Sequence, residues 1–250
     1  MINFLKNHPF SVEAHFDSSM VLTFAVPKEQ LEKLIPNCLE LDLFEGKWAF
    51  IAIAMVQTSG LRPKGFPKFM GNNFYLTGYR IFVRYKNKAG KIMRGLYIIK
   101  SETDKKKMEF FGNIFTHYKY TTTDIKVKLE GNTRTLFSSK SKFRLTYEQN
   151  DIDDNETVQI PPSSPFTDWK DARKFAGPLP FTFTVNEDDK TILIIEGVRQ
   201  KWKPKPVSVK NYDFDFLNQL KLEGVVLANA FEIKDIPYYW KKGCMEKWGI

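Results

Sequence analysis

The sequence predicts an α+β protein, mostly antiparallel β-sheet with a few short helices. Three observations carry this. Aromatic residues make up 15% of the 250-residue chain, with 22 Phe among them, and such side chains suit a pleated, half-buried surface. Short apolar or alternating segments recur along the whole chain, bounded by Gly, Pro, Asn and Asp. Only three segments carry apolar residues at helical spacing, and each is short.

Met20–Val26 is a continuous apolar run that reads as a buried strand. Pro27 then suits a first helical position, Leu31, Leu34 and Ile35 form one apolar face, and Pro36 stops the helix. Lys47–Val56, Phe74–Tyr85 and Ile92–Lys100 follow as strands, the last two joined as a hairpin through Ala89-Gly90. Thr103–Phe115 reads as an amphipathic helix, weakened by Gly112. Ile125–Leu129 alternates strictly, Gly131-Asn132 supplies a turn, and Thr133–Ser138 and Lys142–Glu148 continue the sheet, with a meander as the simplest topology. The acidic, polar stretch near 150–164 ends in Pro161-Pro162-Ser163-Ser164 and reads as a loop. Trp169, Ala172 and Phe175 set a short helix over Phe166–Phe175, ended by Gly177-Pro178. Strands are expected at Phe181–Val185, Thr191–Val198 and Gly224–Glu232.

At 42% hydrophobic and 27% charged residues, the chain has the composition of a globular protein with a true core, and residues 1–250 read as one domain. Apolar runs such as Ala49–Val56 fall well short of the ~18 residues of a membrane-spanning helix. The first ten residues lack the apolar stretch and small-residue cleavage site of a signal peptide, which makes a cytoplasmic location the default expectation. Cys38 and Cys244 lie in unrelated segments without metal-ligand spacing, and the sequence leaves open whether they pair. The net charge is +9, but 30 of the 38 basic residues are Lys. Planar recognition of phosphates and bases favours Arg, so the charge argues weakly for nucleic acid. Arg199–Pro206 interleaves cations with Trp202 in a way that suits base stacking, but its prolines make it an extended edge or loop.

Glycine-rich dinucleotide and triphosphate motifs, the nucleophile elbow and the zinc-protease motif are all missing from the sequence. His8, His15 and His117 have no second His or Cys at ligand spacing, so neither a metal nor a cofactor is expected. Asp213 and Asp215 would share one face of a strand, an arrangement that does acid–base work only inside a pocket. Lys105-Lys106-Lys107 reads as a solvated helix face, and Lys100, beside Glu102, as a charge at a strand end.

The segment Pro36-Asn-Cys-Leu39-Glu40-Leu-Asp42, the strand ending Thr58-Ser59-Gly60-Leu61 and the strand Arg80-Ile81-Phe82-Val83 together resemble the acetoacetate decarboxylase superfamily. They resemble most its uncharacterised bacterial relatives. The likeness covers roughly residues 12–125. It implies a cone or closed barrel of antiparallel strands around an apolar cavity. In acetoacetate decarboxylase a lysine in that cavity forms a Schiff base with a β-keto acid. Its amine must lose a proton first, which desolvation or a neighbouring cation promotes.

By position Lys119 corresponds to that catalytic lysine, although the Pro-Lys-Lys context of the decarboxylase is replaced by Thr116-His-Tyr-Lys-Tyr120. The alternation in Tyr118-Lys119-Tyr120 leaves open an outward, solvated lysine. Arg80, inside an apolar strand, is either a structural ion-pair partner or the group that holds a carboxylate ligand. His117 and Tyr118 complete the expected ligand-binding set. The expected partner is therefore a small carboxylate or keto acid in a central cavity, with homo-oligomerisation left open. A Schiff-base lyase or aldolase-type enzyme is the first alternative, and a basic protein binding nucleic acid or an anionic surface is the second.

Overall fold

The computed structural model describes residues 5–149, 160–199 and 202–249. Its strands are β1 (Val12–Pro27), β2 (Glu40–Leu41), β3 (Trp48–Pro63), β4 (Asn72–Lys86), β5 (Ile92–Thr103), β6 (Tyr120–Thr122), β7 (Lys126–Glu130), β8 (Thr133–Ser138), β9 (Phe143–Gln149), β10 (Phe181–Asn186), β11 (Thr191–Arg199), β12 (Lys205–Phe214), β13 (Val226–Trp240) and β14 (Cys244–Lys247). The α-helices are α1 (Lys28–Leu31), α2 (Lys106–Phe115), α3 (Trp169–Ala176) and α4 (Asp215–Gln219). The expected mostly antiparallel sheet with a few short helices is what forms.

β11, β10, β5, β4, β3, β1 and β13 are neighbours in that order, and a further pairing of β11 with β13 closes them into a ring. The closing register sets Gly197 against Trp240, Val198 against Tyr239 and Arg199 against Tyr238. The ring is not a pure meander, because β10 runs parallel to β5. Beyond β13 the sheet continues through β12, β9, β8 and β7.

Strand periodicity divides the side chains into two environments. Ile51, Ile53 and Met55 of β3 and Tyr79, Ile81 and Val83 of β4 join one core with Leu22 and Phe24 of β1 and with Leu145, Tyr147 and Phe214 of the sheet extension. Each such burial contributes about 1.5–3 kcal/mol. The alternate residues, Ala52, Ala54 and Val56 of β3 and Leu76, Gly78, Arg80 and Phe82 of β4, face inward. Three of these are small, with Ala54 opposite Gly78 and Ala52 opposite Arg80. These side chains cannot fill the ring, so its middle stays open.

Several elements differ from expectation. β1 begins at Val12, well before the apolar run, because it pairs with β13 on one side and β3 on the other. The first helix is one α-turn followed by a 3₁₀ turn over Glu32–Leu34. The predicted helix before Gly177 starts at Trp169, where the Asp168 carboxylate accepts a 2.7 Å bond from the Asp171 N–H. Gly112 remains inside α2 because a Cβ there would stand 2.4 Å from the Tyr120 ring. β12 and the second half of β13 carry too many polar residues and prolines to be read as strands from sequence. Of the polar loop near 150–164, residues 150–159 lie outside the described residues, as do residues 200–201 of the Trp202 segment.

Candidate functional site

The ring encloses a cavity of about 560 Å³. Its walls are largely apolar, with Phe16, Val21, Val56, Phe82, Ile98 and Phe231 among the lining side chains. Its larger polar groups include Arg80, Tyr118, Tyr120, Arg199 and Tyr238, with His8, Arg62 and Lys107, and smaller ones such as Thr182 and Ser101 are interspersed. No Asp or Glu belongs to the lining among the described residues. A concave apolar space with a few convergent polar groups is the usual form of a small-molecule site.

Arg80 enters this space from β4, where a bulge after Tyr79 shifts the pairing with β5. Among the described residues no carboxylate lies within ion-pair distance of its guanidinium, and its Nε has no hydrogen-bond partner. Burial lowers the Arg80 pKa, while the phenols of Tyr238, Tyr120 and Tyr118 oppose that shift. A guanidinium still stays charged at neutral pH. Of the two sequence-level alternatives, the structural ion pair is therefore not formed, and the cavity position is.

Tyr118 and Tyr120 face the cavity two residues apart, with ring centroids at 6.0 Å. Burial raises both phenols, Tyr118 far above its ordinary range and Tyr120 to about 12. The neighbouring Thr182 side chain opposes this rise at Tyr118. Both tyrosines therefore remain neutral donors. Tyr238 stacks on Phe16 at 4.4 Å, and its oxygen accepts from Arg199 Nη1 at 3.4 Å. Arg199 Nη2 also donates to the Pro178 carbonyl, so its charge is engaged by neutral groups. Arg62, in contrast, pairs with Glu13 at 2.7 Å. The net effect is a positive, sparsely neutralised interior.

The remaining sequence candidates fall elsewhere. Lys119 is exposed, has a left-handed backbone (φ +52°), and is not among the cavity-lining residues. The turn before β6 sends Tyr118 and Tyr120 inward and leaves Lys119 on the solvent side. His117 is half-buried, outside the lining, with Nε2 3.0 Å from Asn7 Oδ1. Burial first, then Lys6 and Lys119, lowers its pKa. Asp213 is the penultimate residue of β12 and Asp215 begins α4, so they do not share a strand face. Asp213 accepts from Asn218 and Asp215 from Gln219. Lys100 pairs with buried Glu102 at 3.0 Å, which makes it a structural partner rather than a free surface charge. Cys38 and Cys244 are both free thiols. Among the described residues no three His, Cys, Asp or Glu side chains gather where a metal ion could be held, and no helix is long and apolar enough to cross a membrane.

Sequence reasoning missed His8, Tyr120, Thr182, Arg199 and Tyr238 as cavity groups. Only Tyr120 left a local signal, through its two-residue spacing from Tyr118. Thr182, Arg199 and Tyr238 reach the cavity on strands of the closed ring and His8 from the segment before β1, a placement that no local pattern encodes.

A closed ring of mostly antiparallel strands around an apolar cavity is the acetoacetate decarboxylase-like fold. Solved structures agree. Acetoacetate decarboxylase from Legionella pneumophila superposes with a TM-score of 0.60 at 11% identity, over 95% of this chain and 88% of that one. The enduracididine biosynthesis enzyme MppR, complexed with pyruvate, gives 0.59 at 10% identity over 96% and 92%. An acetoacetate decarboxylase-like enzyme from Sphingomonas wittichii gives 0.58 at 9% identity over 97% and 94%. At these identities the likeness is one of fold. No curated protein matches the chain by sequence. Residues 13–238 match the model of DUF2071, described as an uncharacterized conserved protein, and the chain belongs to that family.

Proposed function

We propose that this protein binds a small organic carboxylate or keto acid in the central cavity, with Arg80 as the anion-binding group. The observation that carries this reading is the Arg80 guanidinium, which faces an apolar cavity and has no carboxylate partner among the described residues. Burying an unpaired charge costs several kcal/mol, and an anionic ligand offsets that cost. Tyr118, Tyr120, Tyr238 and Thr182 offer neutral hydrogen bonds that orient the carboxylate or an adjacent carbonyl. Pyruvate in the complex of the similarly folded MppR is a ligand of this chemistry.

Isothermal titration with pyruvate, acetoacetate and longer 2-oxo acids tests it, with the matching amides as uncharged controls. Carboxylates should bind and amides should not, and Arg80→Met should weaken binding about a hundredfold, the ~2–3 kcal/mol of a charged hydrogen-bonded pair. Equal binding of acid and amide, or an Arg80→Met variant that binds like the wild type, would overturn the reading.

A Schiff-base enzyme is the second reading, favoured by the shared fold with acetoacetate decarboxylase. Among the described residues Lys107 is the lysine in the cavity lining, and it is exposed. Borohydride trapping with keto acids followed by peptide mapping tests this reading, and an adduct at a cavity lysine is what it requires.

A further inference from the structure

Five exposed large apolar side chains lie on two segments that both reach the cavity lining. Phe66 is 48% exposed, Phe69 87%, Met70 46%, Phe110 63% and Phe111 43%. The first three sit on the segment between β3 and β4, which includes a 3₁₀ turn over Lys68–Met70. The last two sit on α2, with their rings 5.3 Å apart. Phe66, Met70 and Phe111 also line the central cavity, so this aromatic rim marks where the cavity meets the surface. An apolar patch of this kind on a soluble fold signals an interaction site.

Lysines surround the rim. Lys64, Lys68, Lys106 and Lys107 are exposed, and among the described residues none lies within ion-pair distance of a carboxylate. The nearby acids are already engaged: Asp104 pairs with Lys105 at 3.2 Å, and Glu109 accepts from Thr122. This charge pattern selects among occupants. In a two-fold contact with a second copy the patch meets itself, and lysine would face lysine. An anionic bilayer complements both parts, since lysines attract the headgroups and exposed aromatic rings enter the interface.

We propose that the rim formed by residues 64–70 and the exposed face of α2 docks on an anionic lipid surface, placing the cavity mouth against the membrane. The inference goes beyond cavity binding and does not depend on it.

Vesicle flotation with the full chain tests the docking, using phosphatidylcholine vesicles with and without phosphatidylglycerol, at low and high salt. The protein should float with the anionic vesicles, and added salt should weaken this. Phe69→Ser/Phe110→Ser and Lys68→Glu/Lys107→Glu should each reduce binding by about tenfold or more. Lys126→Glu/Lys128→Glu on β7 should not. Melting temperatures establish that the variants fold. Phe69→Ser/Phe110→Ser should keep its affinity for soluble carboxylates, because neither residue lines the cavity, and this separates failure of docking from failure of cavity binding. No flotation, equal binding of all variants, or a dimer in solution that Phe69→Ser/Phe110→Ser converts to monomer would each overturn the proposal.

Discussion

The Arg80 guanidinium rests on the bare backbone of Gly78 on the same strand: a Cβ at residue 78 would stand 3.1 Å from both Nε and Nη2. Together with Ala54 opposite it, Gly78 leaves the space that the charged group occupies. Gly78→Val should displace the guanidinium and weaken carboxylate binding about tenfold, roughly 1.4 kcal/mol, without loss of fold. Calorimetric titration alongside thermal unfolding checks both parts.

Removing the charge should help the empty protein. Arg80→Met deletes an uncompensated buried cation at similar volume and so removes its desolvation penalty of several kcal/mol. The unliganded melting temperature should rise by several degrees while carboxylate binding weakens about a hundredfold. A fall of similar size would mean that the guanidinium has a structural partner.

Acid should destabilise the fold through His8. Its side chain is buried, its Nδ1 has no hydrogen-bond partner among the described residues, and burial lowers its pKa below 6.5. Between the folded and unfolded pKa values the unfolded chain binds the extra proton, so stability is present above about 6.5 and falls as the pH drops below it. His117, also lowered, acts in the same direction. Urea unfolding from pH 7.5 to 5 should show this decline, and His8→Phe should flatten it.

The two thiols should differ sharply in reactivity. Cys38 is partly buried and its pKa is pushed up to about 11, chiefly by burial, so only about one part in a thousand is thiolate at pH 8. Cys244 is exposed. One equivalent of a disulfide reagent should react quickly at Cys244 and the second slowly at Cys38. Equal rates would contradict the burial of Cys38.

Lys119→Gly should stabilise the protein. The residue holds φ +52°, which costs a side-chain-bearing residue about 1 kcal/mol relative to glycine. The melting temperature should rise by about 2–4 °C, with carboxylate affinity unchanged. Loss of binding in this variant would place the Lys119 amine in the site.

The sequence by itself determined the strands whose apolar content is local. The core of β3, the β4–β5 hairpin and the β7–β8–β9 run are legible because period-two burial writes itself into neighbouring residues. It also marked Arg80, since a guanidinium within an apolar strand is conspicuous. Tertiary structure decided the rest. Val12–Ser19 is a strand because partners on both sides satisfy its backbone groups, and the second half of β13 is one because β1 runs along it and β11 joins at Tyr238–Trp240. Lys119 faces solvent because a left-handed turn, not strand alternation, sets its direction. Arg199 and Tyr238 meet, and the cavity closes, through pairing between β11 and β13, elements some forty residues apart. Cavity walls arise from the geometry of closure, and no neighbouring residues along the chain carry that information.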